Sequence, residues 1–228
     1  MISIIIPAYK TSKYIEDCLD SIHNQDYLEN NMFEIIVGVD GCNETLEKLL
    51  EIRHKYRNLR IIEMKQNYGL FITFNTLLSQ CQYDNIIKFD SDDIMLPSLI
   101  TNVMLVDADL VRFLFYMYDG KNKPIKPFHT HANGVYMIKK HIYDVFGGYM
   151  PWKCAADTEF LRRFTQYNKF KEVKINKPLF YYRQHADTLT KTIPHKIGSL
   201  RLEYHKEFKN KIYKDFYVNP VIGEFNYL

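Results

Sequence analysis

Several features that mark common protein classes are missing from this 228-residue chain. No apolar run approaches the roughly 20 residues that a membrane-spanning helix needs. No basic flank or cleavage-like site accompanies the apolar start Met1–Tyr9, so we expect no signal peptide. Cys18, Cys42, Cys81 and Cys154 lie far apart and form no CxxC pair. Their spacing favours reduced thiols over disulfides or a zinc site, and predicts a cytoplasmic protein.

The chain also lacks a large excess of charge of one sign, since it has 30 Lys and Arg residues and 27 Asp and Glu residues. The net charge is +3, and the whole basic excess lies in residues 191–228. Nucleic-acid-binding proteins usually carry a marked basic excess, so we expect no nucleic-acid partner. Neither GxGxxG nor GxxxxGK[ST] occurs, which argues against a dinucleotide site or a P-loop.

The first half of the chain alternates short apolar runs with helical patterns. This order predicts an α/β fold with a mostly parallel sheet and helices on both faces. The predicted strands are Ser3–Ile6, Glu34–Val39, Leu59–Met64 and Asn85–Phe89, and the predicted helices begin near Ser12, Glu44 and Leu70. Ligands of such sheets bind beyond the carboxyl ends of the strands, where polar residues stand here.

The second half is less regular. We expect strands over Asp109–Tyr118 and Gly134–Lys139, a helix over Thr158–Tyr167, and an extended segment over Lys177–His185. The domain is predicted to cover residues 1–190, with a nucleotide-binding half over about 1–97 and an acceptor-side half over about 98–190.

A C-terminal helical extension is predicted over 191–228. Its apolar repeat predicts a helix from Lys196 to Phe216, with Ile212 among the apolar positions. The basic residues nearby would suit a peripheral membrane contact, but interspersed acidic residues favour packing on the domain or in a homodimer.

The acidic run Asp90-Ser91-Asp92-Asp93 directly follows an apolar strand. Clustered carboxylates repel one another, and a divalent cation would relieve that repulsion. Mg²⁺ and Mn²⁺ prefer such oxygen ligands and commonly bridge to phosphates. A solvated acidic turn or a helix cap is the alternative interpretation.

Six sequence blocks in order resemble the family-2 glycosyltransferases, which have the GT-A (Rossmann-like) fold. The resemblance covers about residues 1–190. The blocks are Ser3–Tyr9; Ser21 and Gln25 with Glu34–Val37 and Asp40-Gly41; Asn67-Tyr68-Gly69 with Asn75; Asp90–Asp93 with Pro97; Gly147–Tyr149 with Ala156–Phe160 and Arg162; and Tyr182–His185 with Thr188 and Thr190.

The resemblance implies a nucleotide-sugar donor, most simply a UDP-sugar. Pro7, Ala8 and Tyr9 would shape the base pocket, Asp40 would contact the base, and Asp90 would reach the ribose or a metal-bound water. The further nucleotide contacts that we predict are Asn67, Gly69, Asn75, Ser91 and Arg183.

Asp92, with Asp93 as the competing residue, would hold Mn²⁺ or Mg²⁺, and His185 would be a further ligand unless it is an ordinary loop histidine. Asp157 would be the general base unless it only caps a helix. The acceptor would meet Gly148, Tyr149 and Trp152, although core packing explains Trp152 equally well.

The function that the resemblance implies is metal-dependent, inverting transfer of a sugar to a hydroxyl of a glycan or another acceptor. A sugar-nucleotide nucleotidylyltransferase and a non-catalytic carbohydrate-binding protein are the alternatives. The chain departs from the family pattern at Phe74, where the family often has Arg, and at Ala156, where it usually has Glu. A basic contact to the nucleotide would then come from elsewhere, such as Lys10, Lys65 or Arg183.

Overall fold

The computed structural model of the chain describes residues 1–26, 33–119, 127–128, 130–193 and 198–228. The strands in these residues are β1 Ile2–Ala8, β2 Phe33–Asp40, β3 Leu59–Met64, β4 Asn85–Lys88, β5 Ile94–Met95, β6 Leu110–Tyr118, β7 Pro127–Phe128, β8 Tyr136–Lys139, β9 Glu172–Arg183 and β10 Phe225–Tyr227. The helices are α1 Ile15–His23, α2 Asn43–Ile52, α3 Leu70–Ser79, α4 Leu99–Met104, α5 His141–Phe146, α6 Ala156–Tyr167, α7 Leu189–Thr192 and α8 Leu200–Lys209, and a 3-10 turn, Arg53–Lys55, follows α2.

One sheet joins these strands in the order β10-β3-β2-β1-β4-β8-β6-β9-β5, with β7 beside β6. Strands β3, β2, β1 and β4 are parallel, as predicted for the first half. Strand β8 enters antiparallel between β4 and β6, while β6 and β9 pair in parallel. The sheet is therefore mixed, and its parallel half brings the carboxyl ends of β1, β2 and β4 to one edge.

Apolar layers cover both faces of the sheet, as the sequence predicts. All seven residues of β1 are buried, which is expected of a strand with helices on either side. Ile4 and Ile6 pack with residues of α1, α2 and α4, whereas Ile5 packs with residues of α3, α5 and α6. No helix in the described part of the chain is both long and apolar enough to cross a membrane.

The C-terminal segment differs from its prediction. Lys196 and Ile197 lie outside the described residues, and helix α8 ends at Lys209, so the predicted continuation to Phe216 is wrong. Ile212 is 82% exposed, which an inward apolar stripe would not allow. The chain beyond α8 instead packs on α6 and ends in β10, which pairs antiparallel with β3. The boundary at residue 190 stays a prediction.

A fully buried ion pair fixes α6 against two other segments. Arg163 donates from Nε to Glu159 Oε1 at 2.9 Å, and both side chains have no exposed surface. The remaining donors of Arg163 reach the carbonyls of Phe146, Gly148 and Phe216. The pair therefore anchors the 146–148 loop and the C-terminal segment to one helix.

We predict that Arg163→Met lowers the free energy of unfolding by about 3–5 kcal/mol, because it leaves the Glu159 carboxylate buried without its partner. Urea unfolding followed by circular dichroism measures the effect. Lys65→Met is the matched control, since the Lys65–Glu224 pair is exposed and should leave the unfolding midpoint unchanged. Equal shifts in both variants would contradict the role assigned to the buried pair.

Candidate active site

The polar residues predicted to form the site converge at the edge where β1, β2 and β4 end. Strands β1 and β2 stay in register to Ala8 and Val39, so Tyr9 and Asp40 follow side by side. Strand β4 ends at Lys88 beside β1, and the acidic run begins two residues later. The loops that follow these three strands therefore meet, as the rule for open α/β sheets predicts.

Within the acidic run, Asp92 and Asp93 have different surroundings. Asp93 is completely buried, and its Oδ1 accepts the backbone N–H of Arg183 at 2.9 Å. The Asp92 side chain is 19% exposed, and its Oδ2 lies 2.7 Å from His185 Nε2. The structure thus places Asp92 and His185 together, and turns Asp93 inward.

The negative charge of this edge is only partly balanced. Burial raises the pKa of Asp90 to about 7; the charge of Lys88 opposes this shift, and the charges of Asp92 and Asp157 add to it. Burial and the charges of Asp92 and Asp90 also raise the pKa of Asp93 well above its usual range. A bound cation would favour the ionised carboxylates here.

Arg183 ties this acidic edge to α1. Its Nε donates to the carbonyl of Asp92 and its Nη2 to Asp17 Oδ2, both at 2.8 Å. The guanidinium also lies over the rings of Tyr14 and Tyr118. Arg183 is only 7% exposed. Its hydrogen-bond donors therefore bind protein groups around the site. The contact of Arg183 with the nucleotide stays a prediction. The sequence does not identify Asp17 as part of the site, because its place in the first turn of α1 is the only local feature that distinguishes it.

Asp157 and Asp90 meet across Gly134, a residue that the sequence did not single out. A methyl group on Gly134 would lie 3.6 Å from Asp90 Oδ2 and 3.7 Å from Asp157 Oδ2. Asp157 stands in the first turn of α6, and its Oδ1 accepts the N–H of Thr158 at 2.8 Å. Ala155 precedes the helix in the left-handed region, with φ of 66°. Such strain in a residue with a Cβ is typical of functional turns.

The carboxylate of Asp40 is hydrogen-bonded to backbone N–H groups. Its two oxygens accept the N–H groups of Tyr68 and Gly69, at 2.7 and 2.9 Å. Gly41 lets the two loops meet, since its φ is 63° and a Cβ would lie 2.4 Å from the nitrogen of Asn67. Asp40 therefore organises the 67–69 loop, and its predicted contact with a nucleotide base stays a prediction.

The other residues predicted around the nucleotide vary in exposure. Pro7, Ala8 and Ser91 are buried, whereas Tyr9 is 44% exposed and Asn67 is exposed. Tyr9 and Asn67, together with the half-buried Gly69, therefore have surface available to a ligand.

Three residues of the predicted site lie in the core beneath it. Asn75 exchanges hydrogen bonds with the backbone of Tyr149, at 3.0 and 2.8 Å. Gly148 is required there, because a Cβ would lie 2.5 Å from Asn75 Oδ1. The Tyr149 ring is fully buried, and its hydroxyl bonds those of Tyr136 and Tyr143. These contacts shape the wall of the site, and Tyr149 presents no surface to an acceptor.

Trp152 packs on the C-terminal helix. Its ring stacks on Tyr204 with centroids 4.6 Å apart and on Phe208 at 6.0 Å. Helix α8 therefore packs within the chain, which is one of the two packing arrangements that its sequence favours over a membrane contact. Trp152 keeps part of its surface exposed beside α6.

Ser21 and Gln25, which belong to the family pattern, hold the segment after the acidic run. Ser21 Oγ accepts the N–H of Met95 at 2.9 Å. Gln25 donates to the carbonyl of Leu96 at 2.8 Å and accepts the N–H of Ile100 at 3.0 Å. Ser21 on α1 and Gln25, two residues after the end of α1, thereby fix the far end of the loop that carries the carboxylates.

The residues present fit a divalent ion that shares its ligands with a substrate. Within the described ranges no three carboxylate, imidazole or thiolate side chains form a closed metal site. Asp92 Oδ2 and His185 Nε2 form an adjacent pair of donors, and Asp90 Oδ1 is buried without a protein partner. Mg²⁺ sites of this kind usually combine one or two carboxylates with substrate phosphates and water.

We predict that Asp40→Asn lowers the free energy of unfolding by about 1–3 kcal/mol. The asparagine side chain has only one acceptor oxygen, whereas the backbone N–H groups of Tyr68 and Gly69 each need an acceptor. Thermal and urea unfolding of the variant measure the loss. Asp84→Asn, at an exposed position, is the control. An unchanged stability with weaker nucleotide binding would instead assign Asp40 to the base contact.

The sequence matches a family model described as Glycosyl transferase family 2 over residues 3–202. The O-antigen biosynthesis glycosyltransferase WbnJ of Escherichia coli is 25% identical over 214 residues, which cover 84% of this chain and 83% of WbnJ. An uncharacterized glycosyltransferase of Haemophilus influenzae is 36% identical over 105 residues, which cover 46% of this chain and 32% of that protein. The chain thus matches about a third of the length of the Haemophilus relative.

Solved structures show the same fold. TarS of Staphylococcus aureus, in complex with UDP, matches with a TM-score of 0.67 at 21% identity, over 81% of this chain and 61% of that one. The mannosyltransferase PcManGT of Pyrobaculum calidifontis, in complex with GDP-Man and Mn²⁺, matches with a TM-score of 0.73 at 14% identity, over 92% of this chain and 65% of that one. The predicted GT-A fold is confirmed.

Proposed function

The chain belongs to glycosyl transferase family 2, and from that premise we propose that it transfers a sugar from a nucleotide-sugar donor to a hydroxyl of a glycan or another acceptor. The observation that carries the proposal is the meeting of Asp90 and Asp157 across Gly134, together with the Asp92–His185 pair on the same acidic run. A sugar bound there would lie within reach of both carboxylates.

A UDP-sugar is the donor that we propose first. TarS structures with UDP and with UDP-GlcNAc have this fold, and PcManGT is in complex with GDP-Man. In this chain the loop after β1, with Tyr9, and the 67–69 loop held by Asp40 would flank the nucleotide. Asp90 Oδ1, which lacks a protein partner, would accept a hydrogen bond from the ribose.

Asp92 and His185 are the residues that would hold Mn²⁺ or Mg²⁺. When bound, the ion supplies positive charge that stabilises the leaving nucleoside diphosphate. Asp93 is the weaker candidate, because its side chain is buried and already accepts the backbone N–H of Arg183.

Asp157 would be the general base. Its Oδ1 is held by the N–H of Thr158, which leaves Oδ2, on the side of Gly134, to accept the proton of the acceptor hydroxyl. That hydroxyl oxygen would attack the anomeric carbon as the bond to the diphosphate breaks. A single displacement of this kind inverts the anomeric configuration. The partly exposed Trp152 stays the proposed acceptor contact.

The direct test measures release of nucleoside diphosphate from a panel of UDP- and GDP-sugars, with Mn²⁺ and with chelator. Pyrophosphate release from a nucleoside triphosphate and a sugar phosphate would instead indicate a nucleotidylyltransferase. Glycan binding without metal-dependent nucleotide binding, measured by calorimetry, would indicate a binding protein.

We predict that Asp157→Asn lowers the turnover number by about 10²–10⁴-fold, because an amide cannot take the proton of the acceptor. Binding of UDP with Mn²⁺, measured by calorimetry, should be unchanged. Asp107→Asn replaces a carboxylate with 90% of its surface exposed and serves as the control. Full activity in Asp157→Asn would exclude it as the base.

We predict that EDTA abolishes transfer and that added Mn²⁺ restores it. His185→Gln should raise the Mn²⁺ concentration for half-maximal activity by about tenfold or more, since the partner of Asp92 is lost. His54→Gln, in the exposed 3-10 turn that follows α2, should have no effect. Transfer that persists at full rate in chelator would overturn the metal requirement.

A further inference from the structure

Lys88, the last residue of β4, is a buried cation directly beneath the site. It is 1% exposed, and its Nζ donates to the carbonyl of Gly134 at 2.6 Å. The ammonium lies 4.2 Å from the centroid of the Phe74 ring, and the rings of Tyr136 and Tyr149 stand at 5.8 Å. Removing an ammonium from water is costly. An apolar residue would fill the same space at lower cost, so the charge calls for an explanation.

The anions that act on Lys88 are those of the site. Burial lowers the pKa of Lys88, and the charges of Asp90 and Asp157 oppose that shift. Lys88 also donates to the carbonyl of Gly134, the residue across which these two carboxylates meet, so its charge reduces the repulsion between them.

A second cation holds the same turn from its other end. Arg112, on β6, donates from Nε to the carbonyl of Ala132 at 3.1 Å and from Nη2 to that of His131 at 3.0 Å. It also donates to Asn133 Oδ1. Residues 131–134 are thus fixed between two strands, with Gly134 placed where both carboxylates converge.

We propose that Lys88 is a positioning residue, whose buried ammonium holds the carbonyl of Gly134 and so fixes the separation of Asp90 and Asp157 for the transfer reaction. The inference rests on the proposed function and deepens it. Lys88 touches neither donor nor acceptor and acts through the 131–134 turn and through its charge.

The test compares Lys88→Met, which removes the charge and the donor at similar length, with Lys140→Met. Lys140 also donates to a backbone carbonyl, that of Cys81 at 2.6 Å, but away from the carboxylates. Lys88→Met should lower the turnover number by about 100-fold, the scale of a misplacement near 1 Å, with the donor KM changed less than about threefold. Lys88→Arg, which keeps both charge and donor, should recover part of the activity.

Hydrogen–deuterium exchange gives a readout that does not depend on activity. Peptides that cover residues 130–136 should exchange faster in Lys88→Met than in the wild-type chain or in Lys140→Met. Should Lys88→Met not fold, the same exchange measurement is made on Lys88→Gln, whose shorter, neutral side chain should also leave residues 130–136 exchanging faster.

Two outcomes would overturn the proposal: wild-type exchange and turnover in Lys88→Met, or an equal loss of turnover in Lys140→Met. If the wild-type chain transfers no sugar from any donor, the proposed function fails. The exchange measurement still decides whether Lys88 holds the turn.

Discussion

The concentration of negative charge at the carboxyl end of β4 is the constraint around which the neighbouring loops are built. Asp90, Asp92 and Asp93 repel one another, and burial raises the pKa of Asp90 and Asp93. Arg183 and Lys88 oppose these shifts from the buried side. Asp92 and His185 stand on the more open side, where the remaining negative charge would attract a cation. The arrangement suits a donor whose diphosphate arrives with a metal ion.

Several polar residues that the family motifs assign to ligand contacts instead hydrogen-bond to the backbone of loops around the acidic run. Asp40 holds the 67–69 loop, Asn75 holds the backbone of Tyr149, and Gln25 holds the segment after the acidic run. In each case a side chain satisfies backbone groups outside the strands, which belong to loops for Asp40 and Asn75 and to the first turn of α4 for Gln25. Buried backbone N–H and C=O groups require such partners. The order and spacing of these residues therefore reflect loop anchoring as much as ligand contact.

The C-terminal segment illustrates where a sequence pattern fails. An apolar repeat at helical spacing runs on past Lys209, yet the helix ends there. Tyr213 turns inward to donate to Glu159, and Ile212 is left exposed. The competing contact with the buried Glu159–Arg163 pair, more than 45 residues earlier in the chain, outweighs local helical preference.

The sequence by itself determined the alternation of buried strands and helices, the parallel order of the first half, and the acidic run at the end of β4. These follow from local periodicity and from general rules of α/β connection. Only the tertiary structure decided which carboxylate oxygens are free, that Asp93 turns inward, and that Gly134 separates Asp90 from Asp157. The reason is physical: the partners of these groups, such as Arg183 for Asp93, lie on distant segments, and packing brings them together without leaving a local pattern in the chain.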